Sequence, residues 1–498
     1  MSNIRVTYSG LFFFIIGIIT IFTGLAFMLI ITRSLTSQEY GTWNLINGLI
    51  MYAAIIQPVT SYWVTREIAR GEKSGKTAVF SNGLFSSVGI LIYLLVAFFT
   101  SNQTDVNQQI LFFGVLLVPI LFLNGVLGSI NMGFKPHATS IGQFFLEISK
   151  IPLALFFVYF LDFGVSGIIL AVFLGHIPSI LLLSYSAREK IVGTIKKELF
   201  KKWIKLSWIS LYPGIGSLLR SLDILIFSVI TGSVIGLAYY GAAWSVSTLA
   251  VHSGSISAAV YSKLLGGGKA DYLEDNITQI FYFAIPLSAI SITFARPGLF
   301  ALNPIYEIAA PLVLIMTMRV ILDTFNKTFE QFITGVEKVD INSKSTFKNY
   351  VKSKLFVIPT IRLIQNGVYM VLLIGGLIFL SSNDFEFDLL IYWVLLGFFV
   401  SIPTTIYLYI LVHRNFQIKI DFKRIIKYLF ICLVTFVPVF LLAEQYLDYD
   451  ERIIVFLPNL LVFIGLAIGG YLLLTCLLDL KTKQLFNSII TEIKTKLK

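Results

Sequence analysis

The sequence predicts an all-α polytopic membrane protein of about 14 transmembrane helices. They form two six-helix lobes related by a pseudo-two-fold axis along the membrane normal, plus two extra C-terminal helices. Three observations carry this. Fourteen apolar runs, each near or above the roughly 20 residues that cross a bilayer, follow one another through the 498 residues. Basic residues gather in alternate gaps between those runs. Short strings recur at an offset of 200 residues.

Composition sets the class first. At 56% hydrophobic and 13% charged, the chain has too little polar surface to fold as a soluble globule of this length. The net charge of +11 lies beside the apolar runs and not on one basic domain, so the expected counter-charge is anionic membrane lipid, and no nucleic acid is expected. The first run follows only Arg5, is longer than a signal-peptide core and lacks a small-x-small cleavage site, which predicts a retained span. Cys432 and Cys476 lie inside apolar runs and imply neither a disulfide framework nor a metal cluster.

The elements follow in order. Spans one to six are the runs 11–32, 43–64, 79–99, 110–130, 138–161 and 165–184, which make an N-lobe of residues 1–187. Residues 188–205 form a cytoplasmic linker. Within 190–206, Ile191, Ile195, Leu199, Trp203 and Leu206 fall at three- and four-residue steps, with Lys196, Lys197, Lys201, Lys202 and Lys205 elsewhere on the turn. That is the pattern of a basic amphipathic helix on a membrane surface. Spans seven to twelve are 206–231, 236–261, 277–294, 306–334, 355–380 and 389–412, giving a C-lobe of 206–415. Spans thirteen and fourteen, 425–443 and 453–478, stand with a basic tail in 416–498 outside the symmetry. The tail repeats the linker pattern with Leu485, Ile489, Ile493 and Leu497. Outside the runs, only Arg33, Arg296 and Arg452 occupy odd-numbered gaps. The positive-inside rule therefore puts both termini and the even gaps in the cytoplasm of a multi-pass cell-membrane protein.

The repeat fixes the symmetry. Glu39-Tyr40-Gly41-Thr42-Trp43, at the junction of spans one and two, matches Tyr239-Tyr240-Gly241-Ala242-Ala243-Trp244, at the junction of spans seven and eight. The cytoplasmic hairpin that follows matches too, with Gly71-Glu72-Lys73-Ser74-Gly75-Lys76 against Gly266-Gly267-Gly268-Lys269. Each copy holds six spans, so its ends share one side and the repeats are parallel.

Thr32-Arg33-Ser34-Leu35-Thr36-Ser37-Gln38-Glu39-Tyr40-Gly41, the loop Thr65-Arg66-Glu67-Ile68-Ala69-Arg70-Gly71, and Asp223-Ile224-Leu225-Ile226 leading to Gly232, Tyr240 and Gly241 resemble the polysaccharide flippases. These belong to the superfamily of multidrug, oligosaccharidyl-lipid and polysaccharide exporters. The resemblance covers most of the chain through spacing and span pattern. It implies a V-shaped pair of six-helix lobes moving a polyprenyl-(pyro)phosphate-linked oligosaccharide to the outer leaflet by alternating access. It also implies that the first two spans of each half line the cavity, that the protein is not an enzyme, and that glycosyltransferases of the same pathway are partners.

Ionisable residues inside spans cost roughly 2.5–3.5 kcal/mol each at mid-bilayer, so each is expected to meet a partner or a wet cavity. Lys150, Arg220, Arg319, Lys327 and Arg362 lie inside spans. Four have a carboxylate three or four residues away on the same helical face: Glu147 for Lys150, Asp223 for Arg220, Asp323 for Arg319 and Glu330 for Lys327. One reading is local neutralisation; the other is a cationic path for an anionic headgroup. On the second reading, Arg220, Lys150 and Arg319 at mid-depth are the expected substrate-binding residues, joined by Arg33 and Arg66 from the strings that carry the resemblance. Asp223, Glu147 and Asp323 are then the expected sites for a coupling sodium ion or proton. Arg362 lies close enough to the cytoplasmic end to snorkel.

The remaining polar features point elsewhere. No resident cofactor or metal is expected, since the four histidines show no ligand spacing, and no phosphate-loop, nucleophile-elbow or zincin string occurs. The short outer gaps argue against a membrane-embedded glycan polymerase or ligase. Span one lacks the carboxylate expected of a multidrug antiporter and the arginines expected of a lipid II flippase; both belong to the same superfamily.

Overall fold

The computed structural model describes residues 6–256, 271–335, 347–380, 386–418, 420–480 and 482–483. Among them the chain is α-helical with no strand. Among the described residues eleven helices are long and apolar enough to cross a membrane, or twelve if one bent pair counts as a single span. Two further expected spans, 11–32 and 236–261, run partly through side chains or residues outside the described set, as do the glycine-rich hairpin at 266–269 and the tail from 484. Large apolar side chains face outward along the helices, with Ile454 85%, Phe379 76% and Leu95 70% exposed, as lipid contact requires and water would penalise.

The described residues group into two compact units, one of Met1–Ala242 with Glu337–Val400 and one of Ala243–Val336 with Ser401–Lys498. In the first, α1 (Val6–Ser34) leads into α2 (Ser37–Ala53) through a capping box: Thr36 Oγ1 accepts from the Glu39 amide at 3.3 Å, and Glu39 Oε2 accepts from the Thr36 amide at 3.0 Å. Span two then breaks. A short 3₁₀ turn at Ala54–Ile56 precedes α3 (Pro58–Ala69), bent by 56° from the first segment, because Pro58 supplies no amide to continue the ladder. Next come α4 (Gly75–Ser101), α5 (Gln108–Phe113), α6 (Leu117–Met132), α7 (Pro136–Ala154) and α8 (Gly164–Ile191). After Pro152, α7 widens into one π-helical turn at Leu155–Phe160.

The linker helix is shorter than the apolar pattern implied and is docked. Residues 188–191 complete α8, and α9 spans Lys197–Lys205. Trp203 is fully buried among Val64, Ile68, Ala78 and Ala187, and its Nε1 donates to Glu67 Oε1 at 3.2 Å. Lys202 pairs with the same carboxylate at 3.4 Å, and Lys196 pairs with Glu72 at 3.3 Å. The basic face remains outward; the apolar face is packed on the α3–α4 hairpin.

α10 (Ser207–Thr231) ends on Gly232, whose φ of +67° gives a left-handed cap, and α11 (Ile235–Ser247) follows. The repeated glycines meet here. A Cβ on Gly41 of α2 would collide with the Val234 carbonyl oxygen, and one on Gly241 of α11 would meet Asn44 Nδ2 of α2 at 2.5 Å. Small residues let the two helices approach in a reciprocal contact.

The second unit holds α12 (Asp271–Thr293), α13 (Ala295–Leu302) and α14 (Ala310–Gly335). α15 (Phe347–Val351), α16 (Lys354–Leu380), α17 (Glu386–Phe416), α18 (Phe422–Tyr446) and α19 (Ile453–Leu478) follow. Spans thirteen and fourteen are tied to α12: Tyr471 OH donates to the Tyr282 carbonyl at 2.9 Å, and Tyr282 OH meets Thr475 Oγ1 at 3.1 Å. Just past α19, burial pushes the Asp479 carboxyl up, but hydrogen bonds from Thr482 and Tyr428 and the charge on Arg424 outweigh it and hold the group below the usual range.

Candidate functional site

A cavity of about 410 Å³ opens in the first unit between helices long and apolar enough to cross a membrane. It is lined by Phe27 of α1, Trp43, Asn47 and Gly48 of α2, Lys150 of α7, and Ser221 and Ile224 of α10. Apolar and aromatic walls with a few convergent polar groups and one cation are the makeup of a ligand site.

Lys150 supplies the cation. It lies near the middle of the 24-residue span His137–Phe160. Its Nζ is 2.8 Å from Glu147 Oε2 and 4.8 Å from the centre of the Phe27 ring. Gly175 of α8 makes room for it, since a Cβ there would stand 2.9 Å from Lys150 Cγ. Glu147 is 8% exposed and accepts from Gln143 Nε2 at 2.9 Å. His176 of α8, also buried, bonds the Val172 carbonyl at 2.7 Å and is electrostatically coupled to both charges.

Arg220 and Asp223 turn the other way, toward α16. Asp223 Oδ2 accepts from Tyr369 OH at 2.9 Å and from Trp393 Nε1 at 3.2 Å, while Oδ1 accepts from the Ile224 amide at 2.8 Å. The Trp393 indole is stacked between Tyr240, 4.1 Å between centroids, and Phe227, 4.9 Å. The Arg220 guanidinium lies 3.7 Å over the Tyr369 ring, and its Nε is 3.8 Å from Asp223 Oδ2, too far for a hydrogen bond. Three neutral donors thus satisfy the carboxylate, and the arginine is held mainly by an aromatic face.

The expected residues therefore form separate local pairs. In the second unit Arg319 Nε is 3.5 Å from Asp323 Oδ2, and the guanidinium lies 5.8 Å from the centre of the Trp244 ring. Arg33 occupies the last turn of α1 and Arg66 the last turn of α3, at opposite ends of the α2–α3 span; Arg66 stacks 4.4 Å over Tyr62. Sequence reasoning missed Tyr369, Trp393 and Glu67. Aromatics in an aromatic-rich chain carry no signal by themselves, and Glu67 was legible only as part of a loop string. Among the described residues no cluster of His, Cys, Asp and Glu could hold a metal ion.

No protein-family model matches the chain, and no curated protein does either. Solved structures do. The lipid II flippase MurJ in an inward closed conformation shares 13% identity over 93% of this chain and 98% of its own, with a TM-score of 0.64. A MOP superfamily transporter from Pyrococcus furiosus shares 14% over 82% and 95%, with a TM-score of 0.55. An inward-facing multidrug resistance MATE family transporter shares 15% over 79% and 95%, with a TM-score of 0.54. The chain therefore has the fold of the superfamily of multidrug, oligosaccharidyl-lipid and polysaccharide exporters.

Proposed function

We propose that the chain is a flippase that carries a polyprenyl-(pyro)phosphate-linked oligosaccharide from the cytoplasmic to the outer leaflet by alternating access of two six-span lobes. The observation that carries this reading is the Lys150 ammonium in a cavity between helices long and apolar enough to cross a membrane. A buried cation costs roughly 2.5–3.5 kcal/mol at mid-bilayer, and a cation opening onto a cavity serves an anionic headgroup that must avoid hydrocarbon. Asn47 and Ser221 beside it can meet polar sugar or phosphate oxygens. Arg66, at the expected cytoplasmic end of the α2–α3 span, receives the headgroup and Arg33, at the expected outer end, releases it, and Arg220 and Arg319 serve it at mid-depth. Asp223, Glu147 and Asp323 are the carboxylates through which a sodium or proton gradient drives the cycle. No bond of the substrate changes, and the protein works in the cell membrane beside the glycosyltransferases that make its cargo.

A second reading, lipid II as cargo, is favoured by the likeness to MurJ over 93% of the chain. One assay decides. Proteoliposomes holding the purified chain receive a fluorescent polyprenyl-diphosphate oligosaccharide or fluorescent lipid II, and a membrane-impermeant reductant reports the leaflet. Flipping of the first in preference to lipid II is expected, with Lys150→Ala slower by at least about tenfold, the equivalent of roughly 1.4 kcal/mol. Lys150→Arg should keep part of the rate. Preference for lipid II establishes the second reading, and no flipping of either overturns both.

A further inference from the structure

The ammonium that faces the cavity is already engaged. Glu147 Oε2 holds it at 2.8 Å, with the Phe27 ring on another side. An anion that reaches Lys150 therefore meets a neutralised pair. Two anionic groups on one cation would leave net negative charge in a low-dielectric place, which is strongly unfavourable. Ligand and Glu147 must compete for the same Nζ.

What happens to the loser follows from its surroundings. Glu147 keeps one neutral donor, Gln143 Nε2 at 2.9 Å, and is 8% exposed. Few other charges are at hand. On α7 the titratable neighbour is Lys150, and from α8 it is His176, whose Nδ1 is committed to the Val172 carbonyl at 2.7 Å. The neighbouring α6 carries no titratable side chain along Leu117–Met132. α1 carries its one charged residue, Arg33, in its last turn, six residues beyond Phe27. The π turn at Leu155–Phe160 contributes Tyr159, which is 64% exposed. A carboxylate left there without its counter-charge is neutralised by binding a proton.

We propose that Glu147 is a proton site linked to occupancy of Lys150: an anionic phosphate ligand displaces the carboxylate from the ammonium, and the freed carboxylate takes up one proton from the bulk solution. Before binding, the site holds an ammonium and a carboxylate; after binding, it holds an ammonium, one paired phosphate charge and a neutral acid. The net charge is conserved, so ligand and proton load together and leave together. The ligand class rests on the flippase reading above; the exchange rests on the geometry of the pair.

The test uses the purified full chain in nanodiscs with farnesyl diphosphate as the probe. Titration calorimetry in buffers of different ionisation heat counts protons bound per ligand. The wild type is expected to take up one proton more than Glu147→Gln, and its affinity should fall about tenfold per pH unit relative to that variant within the linked range. The probe's own ionisation is common to both and cancels. Glu147→Asp and His176→Gln should keep the extra proton, and thermal midpoints confirm that each variant is folded. Equal uptake by wild type and Glu147→Gln overturns the exchange alone, as does loss of the extra proton in His176→Gln. Absence of binding to the wild type, or undiminished binding to Lys150→Ala, overturns the ligand site itself and with it the flippase reading.

Discussion

At the scale of single residues, a spacing that looks like an ion pair in sequence has two different outcomes in the fold. Glu147 and Lys150 pair directly at 2.8 Å. Arg220 and Asp223 have the same spacing but sit 3.8 Å apart, because Tyr369 and Trp393 have taken the carboxylate. This makes the second pair asymmetric. Removing Arg220 leaves Asp223 with three donors, whereas removing Asp223 leaves a guanidinium with only an aromatic face and two buried nitrogens that lack a hydrogen-bond partner. Asp223→Ala should therefore cost about 3–5 kcal/mol of stability, the usual result of stranding a buried charge, and Arg220→Ala clearly less. Denaturant unfolding in detergent measures both; equal losses would mean that the arginine is the carboxylate's essential partner. Helical spacing made the pairs themselves legible in the sequence. The donors were not, because Tyr369 and Trp393 lie 146 and 170 residues from Asp223 and reach it only through tertiary packing.

Elements show the same division. Apolar runs gave the long helices their places, since length and hydropathy are local properties, but the Thr36–Glu39 capping box starts α2 at Ser37, so the Tyr40–Trp43 string expected in the turn between spans one and two lies inside the helix. The break at Pro58 and the docking of α9 through Trp203 depend on what lies opposite each helix. The repeated glycines are intermediate: their recurrence was visible, and its cause is the close approach of α2 and α11. Gly41→Ala would press a methyl group on the backbone oxygen of Val234, which cannot rotate away, and should cost about 1–3 kcal/mol. Gly241→Ala meets the Asn44 side chain, which can turn, and should cost less. Gly24 and Gly83 have nothing within 4 Å of an added Cβ, so alanine at either position is the neutral control. Thermal midpoints of the four variants should fall in that order; a Gly41→Ala midpoint level with the controls would show that the close approach is not a property of the folded protein.

Over the whole molecule, orientation in the membrane rests on charge, and the fold adds one constraint to it. Lys196 pairs with Glu72, and Trp203 bonds Glu67, so the α3–α4 hairpin and the linker helix share one end of their unit. Lys73 and Lys197 must then lie on the same side, whichever side that is. The clustering of Lys and Arg in even gaps predicts that this side faces the cytoplasm. Passage along α4 carries the chain to Asn102 at the opposite end. The same alternation puts Lys423, at the start of α18, inside and Tyr449, between α18 and α19, outside. Single cysteines at 73, 102, 197, 423 and 449, in a background lacking Cys432 and Cys476, test this in intact cells. A membrane-impermeant maleimide should label 102 and 449 directly, and 73, 197 and 423 only after permeabilisation. Labelling of 73 and 197 with 102 and 449 protected would invert the whole molecule and reverse the direction in which the proposed cargo moves. Labelling of 73 without 197 would break the hairpin–linker contact itself, because two positions tied to one docked helix cannot face opposite sides of a bilayer.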